Sequence, residues 1–196
     1  MKVVVVAEFY PSRRDPVLGI WAHRQAMAAR DAGAEMHVLV LHRLVPPRAS
    51  LAAGPAAARD SLASLVREPR RQVRDGLAVT YVPYLSPPRR RSYATWGSWA
   101  APALALALGG LRRRFAFELI HAHNAVPAGD AVCRAARLAS LDAPLVISVH
   151  GGDVFYTARL RRGGAAAVAS ALGSARLLAS TSRADPSALA TAAPPR

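Results

Sequence analysis

The sequence has a single cysteine and a single lysine, and its 26 basic residues outnumber 12 acidic ones. With one thiol, Cys133, the chain has no internal disulfide, which agrees with a reducing compartment such as the cytosol. It also lacks any apolar run of the roughly 18 residues that a membrane-spanning helix needs. We therefore predict a cytoplasmic protein that is soluble or attached to the membrane peripherally.

Several motifs that mark cofactor or catalytic sites are also missing. The first apolar run is not followed by G-x-G-x-x-G, and no G-x-x-x-x-G-K-[ST] occurs, which excludes the dinucleotide fingerprint and the P-loop. There is no G-x-S-x-G nucleophile elbow. A lone cysteine and the lack of H-E-x-x-H argue against a metal site. We expect neither a metal nor an organic cofactor.

What the chain has in excess is positive charge. The formal net charge is +14 and the isoelectric point is near 11.5, so the protein should attract polyanions. A nucleic-acid-binding module is one alternative, but the sequence shows no helix-turn-helix and no aromatic residues interleaved on a strand, which disfavours it. Codon bias in a GC-rich genome is another explanation for the arginines. A non-catalytic α/β binding module is a second alternative for the function.

Apolar runs alternate with helix-like stretches along most of the chain. Val3–Val6 is typical of a strand buried on both faces, and the spacing from Ile20 to Ala32 predicts a helix. Further strands are predicted at 36–41, 78–83, 119–122, 145–149 and 175–180, with helices near 93–114, 128–138 and 161–172. This alternation predicts an α/β fold, a Rossmann-like doubly wound parallel sheet in one domain over residues 1–196. Residues 46–77 break the pattern and predict a mobile insert or a weak helix.

Polar residues collect where three of the predicted strands end. In an open α/β sheet, ligands bind beyond the carboxyl ends of the strands. The first loop runs from Glu8 through Arg13, Arg14 and Gly19 to Trp21, the second is His121–Asn124, and the third is His150–Phe155. Histidine and aspartate side chains suit sugar hydroxyls, and glycine allows a backbone to approach a phosphate closely. The candidate site residues are Gly19, His123, Asn124, His150, Gly151 and Asp153.

Some of these residues have a purely structural alternative. Gly19 also fits a turn before a helix. We expect His121 to pack in the core, whereas His123, at the strand tip, is placed to reach a ligand. The sequence His150-Gly151-Gly152-Asp153 has no evident packing purpose, which favours a functional role.

Residues 89–114 form a basic and aromatic segment. Arg89–Arg91 and Arg112–Arg114 flank Tyr93, Trp96, Trp99 and an apolar stretch. Such a helix is able to lie on an anionic membrane. The alternative is that its apolar face packs against the sheet while the arginines lie in solvent.

Four segments together resemble a known family. They are Val3–Pro11 with Gly19 and Ala32–Val38, then Leu119–His123 with Pro127–Gly129, then Val146–Asp153, then Ala175–Ser182. In this order they resemble the N-terminal, acceptor-side domain of a family 4 glycosyltransferase of the GT-B fold. The resemblance implies two Rossmann-like domains facing a cleft, a nucleotide-sugar donor, a sugar or lipid-linked acceptor, and metal-independent transfer that retains anomeric configuration.

The resemblance also implies roles for single residues. By position, His150 resembles the catalytic histidine that reaches the transferred sugar, Gly19 the first-loop glycine near the donor diphosphate, and Asp153 a residue that shapes the same pocket. The family's pair of first-loop glycines is reduced here to Gly19. The donor domain with its paired glutamates is absent from the 196 residues, so we expect this chain alone to be inactive or nearly so.

Overall fold

The structure, a computed structural model, describes residues 1–12, 15–67, 69–88 and 92–180. Arg13, Arg14, Arg89–Arg91 and the residues after Ser180, which enter the predictions above, lie outside this part. The described residues form one seven-stranded sheet. Its strands are β1 (Lys2–Ala7), β2 (Glu35–Arg43), β3 (Arg71–Arg74), β4 (Leu77–Tyr84), β5 (Leu119–His123), β6 (Leu145–Val149) and β7 (Leu177–Ser180). The α-helices are α1 (Ile20–Asp31), α2 (Arg48–Ala52), α3 (Pro55–Val66), α4 (Trp96–Arg112), α5 (Asp130–Leu138) and α6 (Gly164–Gly173), and other helical segments span Tyr93–Thr95, Ala125–Gly129 and Gly152–Ala158.

The sheet has the order β3-β4-β2-β1-β5-β6-β7, and every neighbouring pair except β3 and β4 is parallel. The predicted α/β fold with a doubly wound, mainly parallel sheet is therefore confirmed. β1 lies at its centre because Val3–Val6 is almost fully buried on both faces. The chain turns to β2 on one side of β1 and later places β5 on the other side. The gap between β1 and β5 is thus the point at which the strand order reverses.

The segment 46–77 contains α2, α3 and the edge strand β3, none of which has a fully buried side chain. Of the two predictions for this segment, the weak helix agrees with the structure, and the strand was not predicted. β3 pairs antiparallel with β4 through the turn Asp75-Gly76, where both φ angles are positive. Asp-Gly between two strands is a typical hairpin turn, so a signal for β3 was present.

Helices cover the sheet from both sides. α1 packs on one face against side chains of β1, β2 and β4. On the other face α4, α5 and α6 bury a larger apolar core that includes Trp96, Leu104 and Ile147. Tyr93–Thr95, predicted as the start of a long helix, instead forms a separate helical turn before α4. No helix among the described residues combines the length and the apolar character needed to cross a membrane.

Candidate functional site

The loops after β1, β5 and β6 meet at one rim of the sheet because these three strands are neighbours. The His123 ring lies beside the His150 ring, with 3.2 Å between Nδ1 of the first and Nε2 of the second. The Trp21 ring, in the first turn of α1, lies 5.9 Å from the His150 ring centre to centre. The structure therefore brings the three predicted loops together at the switch point of the sheet.

Gly19 precedes α1, and its backbone lies against the backbone of Phe9 and Tyr10 at the start of the same loop. Its φ angle is +75°, in the left-handed region, and a Cβ atom there would lie 2.2 Å from the carbonyl carbon of Phe9. No other residue fits without moving the backbone. The structural alternative for Gly19 is thus sufficient to explain a glycine at this position, and its role at a donor phosphate remains a prediction.

Asp153 joins the second and third loops from inside. The side chain is fully buried, and its Oδ1 accepts a hydrogen bond from the Val126 backbone N–H at 3.2 Å. Its Oδ2 accepts from the His150 backbone N–H at 3.1 Å and from Asn124 Nδ2 at 3.3 Å. Burial raises the pKa of the Asp153 carboxyl, although these hydrogen bonds oppose the shift. Asp153 therefore shapes the rim by holding Asn124, Val126 and His150 in position through hydrogen bonds.

Three imidazole rings form a row along this rim. His121 and His123 lie on the same side of β5, as their alternation predicts, with ring centres 4.6 Å apart. The expected difference between them is wrong, because His123 is only 1% exposed and His121 is half-buried. His121 Nε2 lies 2.8 Å from Ser148 Oγ on β6. The His123 ring lies between the rings of His121 and His150, and the loop after β6 that carries His150 was not part of a prediction based on position along β5.

Burial keeps these imidazoles neutral. It lowers the pKa of His121 to about 4 and that of His123 to about 3, and it lowers the pKa of His150 as well. His150 is the more accessible partner in the pair it forms with His123. Within the part of the chain that the structure describes, no three His, Cys, Asp or Glu side chains are arranged to hold a metal ion.

A second polar network, partly buried, links the start of the first loop to α1 and was not predicted. The Tyr10 hydroxyl lies 2.7 Å from His23 Nδ1, and His23 Nε2 lies 2.9 Å from Asp75 Oδ2. This chain of contacts ties the start of the first loop and α1 to the turn between β3 and β4. Its members are far apart in sequence and belong to no motif, so only the packing of α1 on the sheet brings them together.

Two concavities of the surface lie away from the rim. One, of about 570 Å³, is bounded by Cys133, Arg137 and Arg176 near the opposite end of the sheet. The other, of about 500 Å³, is a shallow groove between α4 and the end of α5. Neither contains the candidate residues.

Similarity to known proteins indicates the family of this chain. The family model described as Glycosyltransferase Family 4 matches residues 18–191. The chain belongs to glycosyltransferase family 4. The resemblance stated from the four sequence segments is therefore confirmed.

Individual relatives agree with this family assignment. A protein of Bacillus subtilis (strain 168), named as the teichuronic acid biosynthesis glycosyltransferase TuaC, is 26% identical over 186 residues. The match covers 93% of this chain and 44% of the Bacillus protein, so this chain spans less than half the length of that relative.

Solved structures show the same fold. A sucrose-phosphate synthase structure from Thermosynechococcus elongatus superposes with a TM-score of 0.57, at 11% identity, covering 96% of this chain and 81% of that one. A second structure of the same synthase gives 0.54 at 11% identity, covering 91% and 42%. At this identity the likeness concerns the fold, which is that of a GT-B glycosyltransferase domain.

Proposed function

We propose that this chain is the acceptor-side half of a retaining glycosyltransferase that moves a sugar from a nucleotide-sugar to an acceptor hydroxyl. The observation that carries the proposal is the convergence of His123, Asn124, His150 and Asp153 on one rim at the switch point, with Trp21, two residues after Gly19, beside His150. Membership of family 4 supports the reaction class. The sugar is expected to be a hexose.

In this proposal His150 is the catalytic residue, because it contacts the transferred sugar. Its backbone is fixed by Asp153 and its ring by His123, so it is held before the substrate arrives, and such preorganisation is what makes a polar group effective in catalysis. Gly151 and Asn124 line the same rim and are assigned to substrate or donor binding, as is Gly19. Transfer is proposed to need no metal.

Most of the stabilisation of the departing nucleotide diphosphate is assigned to the donor-binding half of a GT-B enzyme. Interactions that are stronger in the transition state than in the ground state raise the rate. We therefore expect the 196 residues by themselves to bind ligands weakly and to show little or no transfer.

Ligand contacts at the rim test the proposal directly. Saturation-transfer difference NMR on the chain, with a panel of methyl glycosides and uridine and guanosine diphosphate sugars, should show contacts that His150→Ala weakens at least several-fold. His37→Ala is the matched control. His37 lies near the start of β2, at the end of the sheet away from the rim, and its Nε2 forms a hydrogen bond with Thr80 Oγ1. Equal signals in both variants would contradict the site. Salt-sensitive gel shifts with nucleic acid and no sugar contacts would favour the alternative function.

We further propose a lipid-linked acceptor and peripheral attachment of the protein at the inner face of an anionic membrane. The solvent-facing side of α4 supports this, because it is apolar: Trp99 is 48% exposed and Leu106 is 81% exposed. Pro102, Leu106 and Arg113 lie along one groove with Leu138 of α5. Trp96 is fully buried instead, so the predicted packing alternative holds for the opposite side of the helix.

Charge complementarity favours an anionic bilayer as the partner of the apolar, solvent-facing side of α4. Between Trp96 and Leu111 helix α4 has no charged residue, and it ends at Arg112, with Arg113 and Arg114 exposed. A helix that is apolar on all sides is normally covered, and arginine at its end suits acidic headgroups. A net charge of +14 opposes association with a second copy of the chain.

Vesicle co-sedimentation at moderate salt tests this attachment. The chain should pellet with phosphatidylglycerol-containing vesicles and not with pure phosphatidylcholine. Leu106→Glu should abolish pelleting, whereas Leu51→Glu, the same change at an exposed leucine of α2, should not. Lack of binding to the anionic vesicles ends the membrane proposal.

A further inference from the structure

The hydrogen bond between His123 and His150 constrains where their protons lie. The two rings are nearly parallel, with 20° between their planes, and the atoms that meet are His123 Nδ1 and His150 Nε2. The other nitrogen of His123, Nε2, is buried and has no hydrogen-bond partner among the described residues. His123 thus has one ring nitrogen in a hydrogen bond and one buried ring nitrogen without a partner among the described residues.

A neutral imidazole carries one N–H donor and one acceptor lone pair. The pKa values of both rings are lowered by burial, so both are neutral near pH 7. Two arrangements then satisfy the contact. Either His123 donates from Nδ1–H to His150 Nε2, or His150 donates from Nε2–H to His123 Nδ1.

The buried Nε2 of His123 distinguishes these arrangements. If His123 donates through Nδ1–H, its Nε2 holds a lone pair that is left without a partner. If His150 donates, His123 Nε2 carries a proton, and this N–H is buried without an acceptor. Among the backbone groups of folded proteins, a buried N–H without an acceptor is rarer than a buried acceptor without a donor, and we apply the same order to the imidazole nitrogens. The first arrangement is therefore preferred.

We propose that His123 is a positioning residue that holds His150 in the form protonated at Nδ1. In this form the Nε2 lone pair of His150 is occupied by His123, and its remaining ring nitrogen is a hydrogen-bond donor. His150 is then suited to donate to a sugar oxygen and not to remove a proton. This consequence rests on the proposed function, whereas the proton position itself does not.

The position of the proton is measurable in the full chain labelled with ¹⁵N-histidine. A long-range ¹H–¹⁵N correlation spectrum at neutral pH separates protonated from unprotonated ring nitrogens. We expect His150 to be protonated at Nδ1 and His123 at Nδ1, with a ¹⁵N–¹⁵N coupling across the hydrogen bond. A proton on Nε2 of His150 would overturn the proposal.

Two variants of His123 test whether this residue is the cause. His123→Asn retains an amide donor near the position of Nδ1, whereas His123→Leu has no polar atom. His150 should remain protonated at Nδ1 in the Asn variant and become a mixture of both forms in the Leu variant. Backbone amide spectra confirm that each variant is folded, and an unchanged His150 in a folded Leu variant contradicts the role of His123. If that variant does not fold, the proton position in the unmutated chain still decides.

Ligand binding separates this inference from the proposed function. If His150 is protonated at Nδ1 but the rim shows no contacts to any sugar or nucleotide-sugar, the proposed function fails and the role of His123 stands. If contacts are present but His150 is protonated at Nε2, the role of His123 fails and the function stands.

Discussion

The rim of the sheet and its β3 edge differ in how they use polar residues. At the rim, Asp153 and His123 are polar and yet almost fully buried, and each contacts a residue of another loop. At the edge, α2 and α3 bury no side chain completely. Buried polar groups depend on their partners, whereas exposed ones exchange them for water. Substitutions should therefore have large effects at the rim and small ones at the edge.

The largest effect is expected for Asp153→Ala. It leaves the Val126 and His150 backbone N–H groups and the Asn124 amide without their acceptor, and unsatisfied buried groups cost about 1–3 kcal/mol each. We expect the free energy of unfolding to fall by about 3 kcal/mol in urea denaturation. Asp60→Ala on α3, where the aspartate is exposed, should change it by less than about 0.5 kcal/mol. Similar losses for the two variants would remove the contrast between rim and edge.

Gly19→Ala should follow in size. The change combines a positive φ angle with a contact of 2.2 Å to the Phe9 backbone, and we expect a loss of about 2–3 kcal/mol. Gly163→Ala before α6 shares the left-handed conformation, with φ +72°, but the added methyl group would meet Ala94 Cβ at an ordinary 3.7 Å, so it should cost about 1–2 kcal/mol. Thermal unfolding of both variants isolates the steric part, and a smaller loss at Gly19 than at Gly163 would be inconsistent with the observed approach.

Mild acid should weaken the rim. The folded-state pKa values of His121 and His123 lie near 4 and 3, below the ordinary value of 6.5. The unfolded chain therefore binds protons first, and the stability that these histidines contribute is complete above pH 6.5 and declines as the pH falls towards 4. We expect the free energy of unfolding to fall by about 1–2 kcal/mol per histidine between pH 7 and pH 5, measured by urea unfolding at both values. The loss should be smaller in His123→Asn, and an equal loss there would rule out His123 as a source.

The smallest effect is expected at the edge itself. Val66→Ser at the end of α3 changes a side chain that is 61% exposed, so the unfolding free energy should move by less than about 0.5 kcal/mol. Circular dichroism during heating is sufficient to detect a larger shift. A loss above 1 kcal/mol would show that the edge is packed as tightly as the rim.

Local patterns were sufficient for most of the sheet and for the location of the rim. Val3–Val6 and Leu145–Val149 are short apolar runs, and such runs predict buried parallel strands without knowledge of their neighbours. β3 was not predicted because three of the four residues in Arg71–Arg74 are polar. Its side chains alternate between exposed and half-buried positions at the edge of the sheet, so the strand has no apolar run. The Asp75-Gly76 turn was the available signal.

The contacts of individual residues within the rim were harder to predict from the sequence. The relative burial of His121 and His123 was predicted incorrectly because His123 packs against His150, which belongs to a loop 27 residues further along the chain. The link between Tyr10, His23 and Asp75 joins residues 13 and 52 positions apart, and no periodicity reports a contact over such distances.

The sequence by itself determined the class of fold, the family and the end of the sheet at which polar residues gather, because strand burial and loop composition are local properties. The tertiary structure decided which polar atoms are paired. Only the adjacency of β1, β5 and β6 turns Asp153 inward as a brace and sets His123 against His150. Hydrogen bonds between loops require a particular distance and direction in space, and these follow from the packing of the whole sheet.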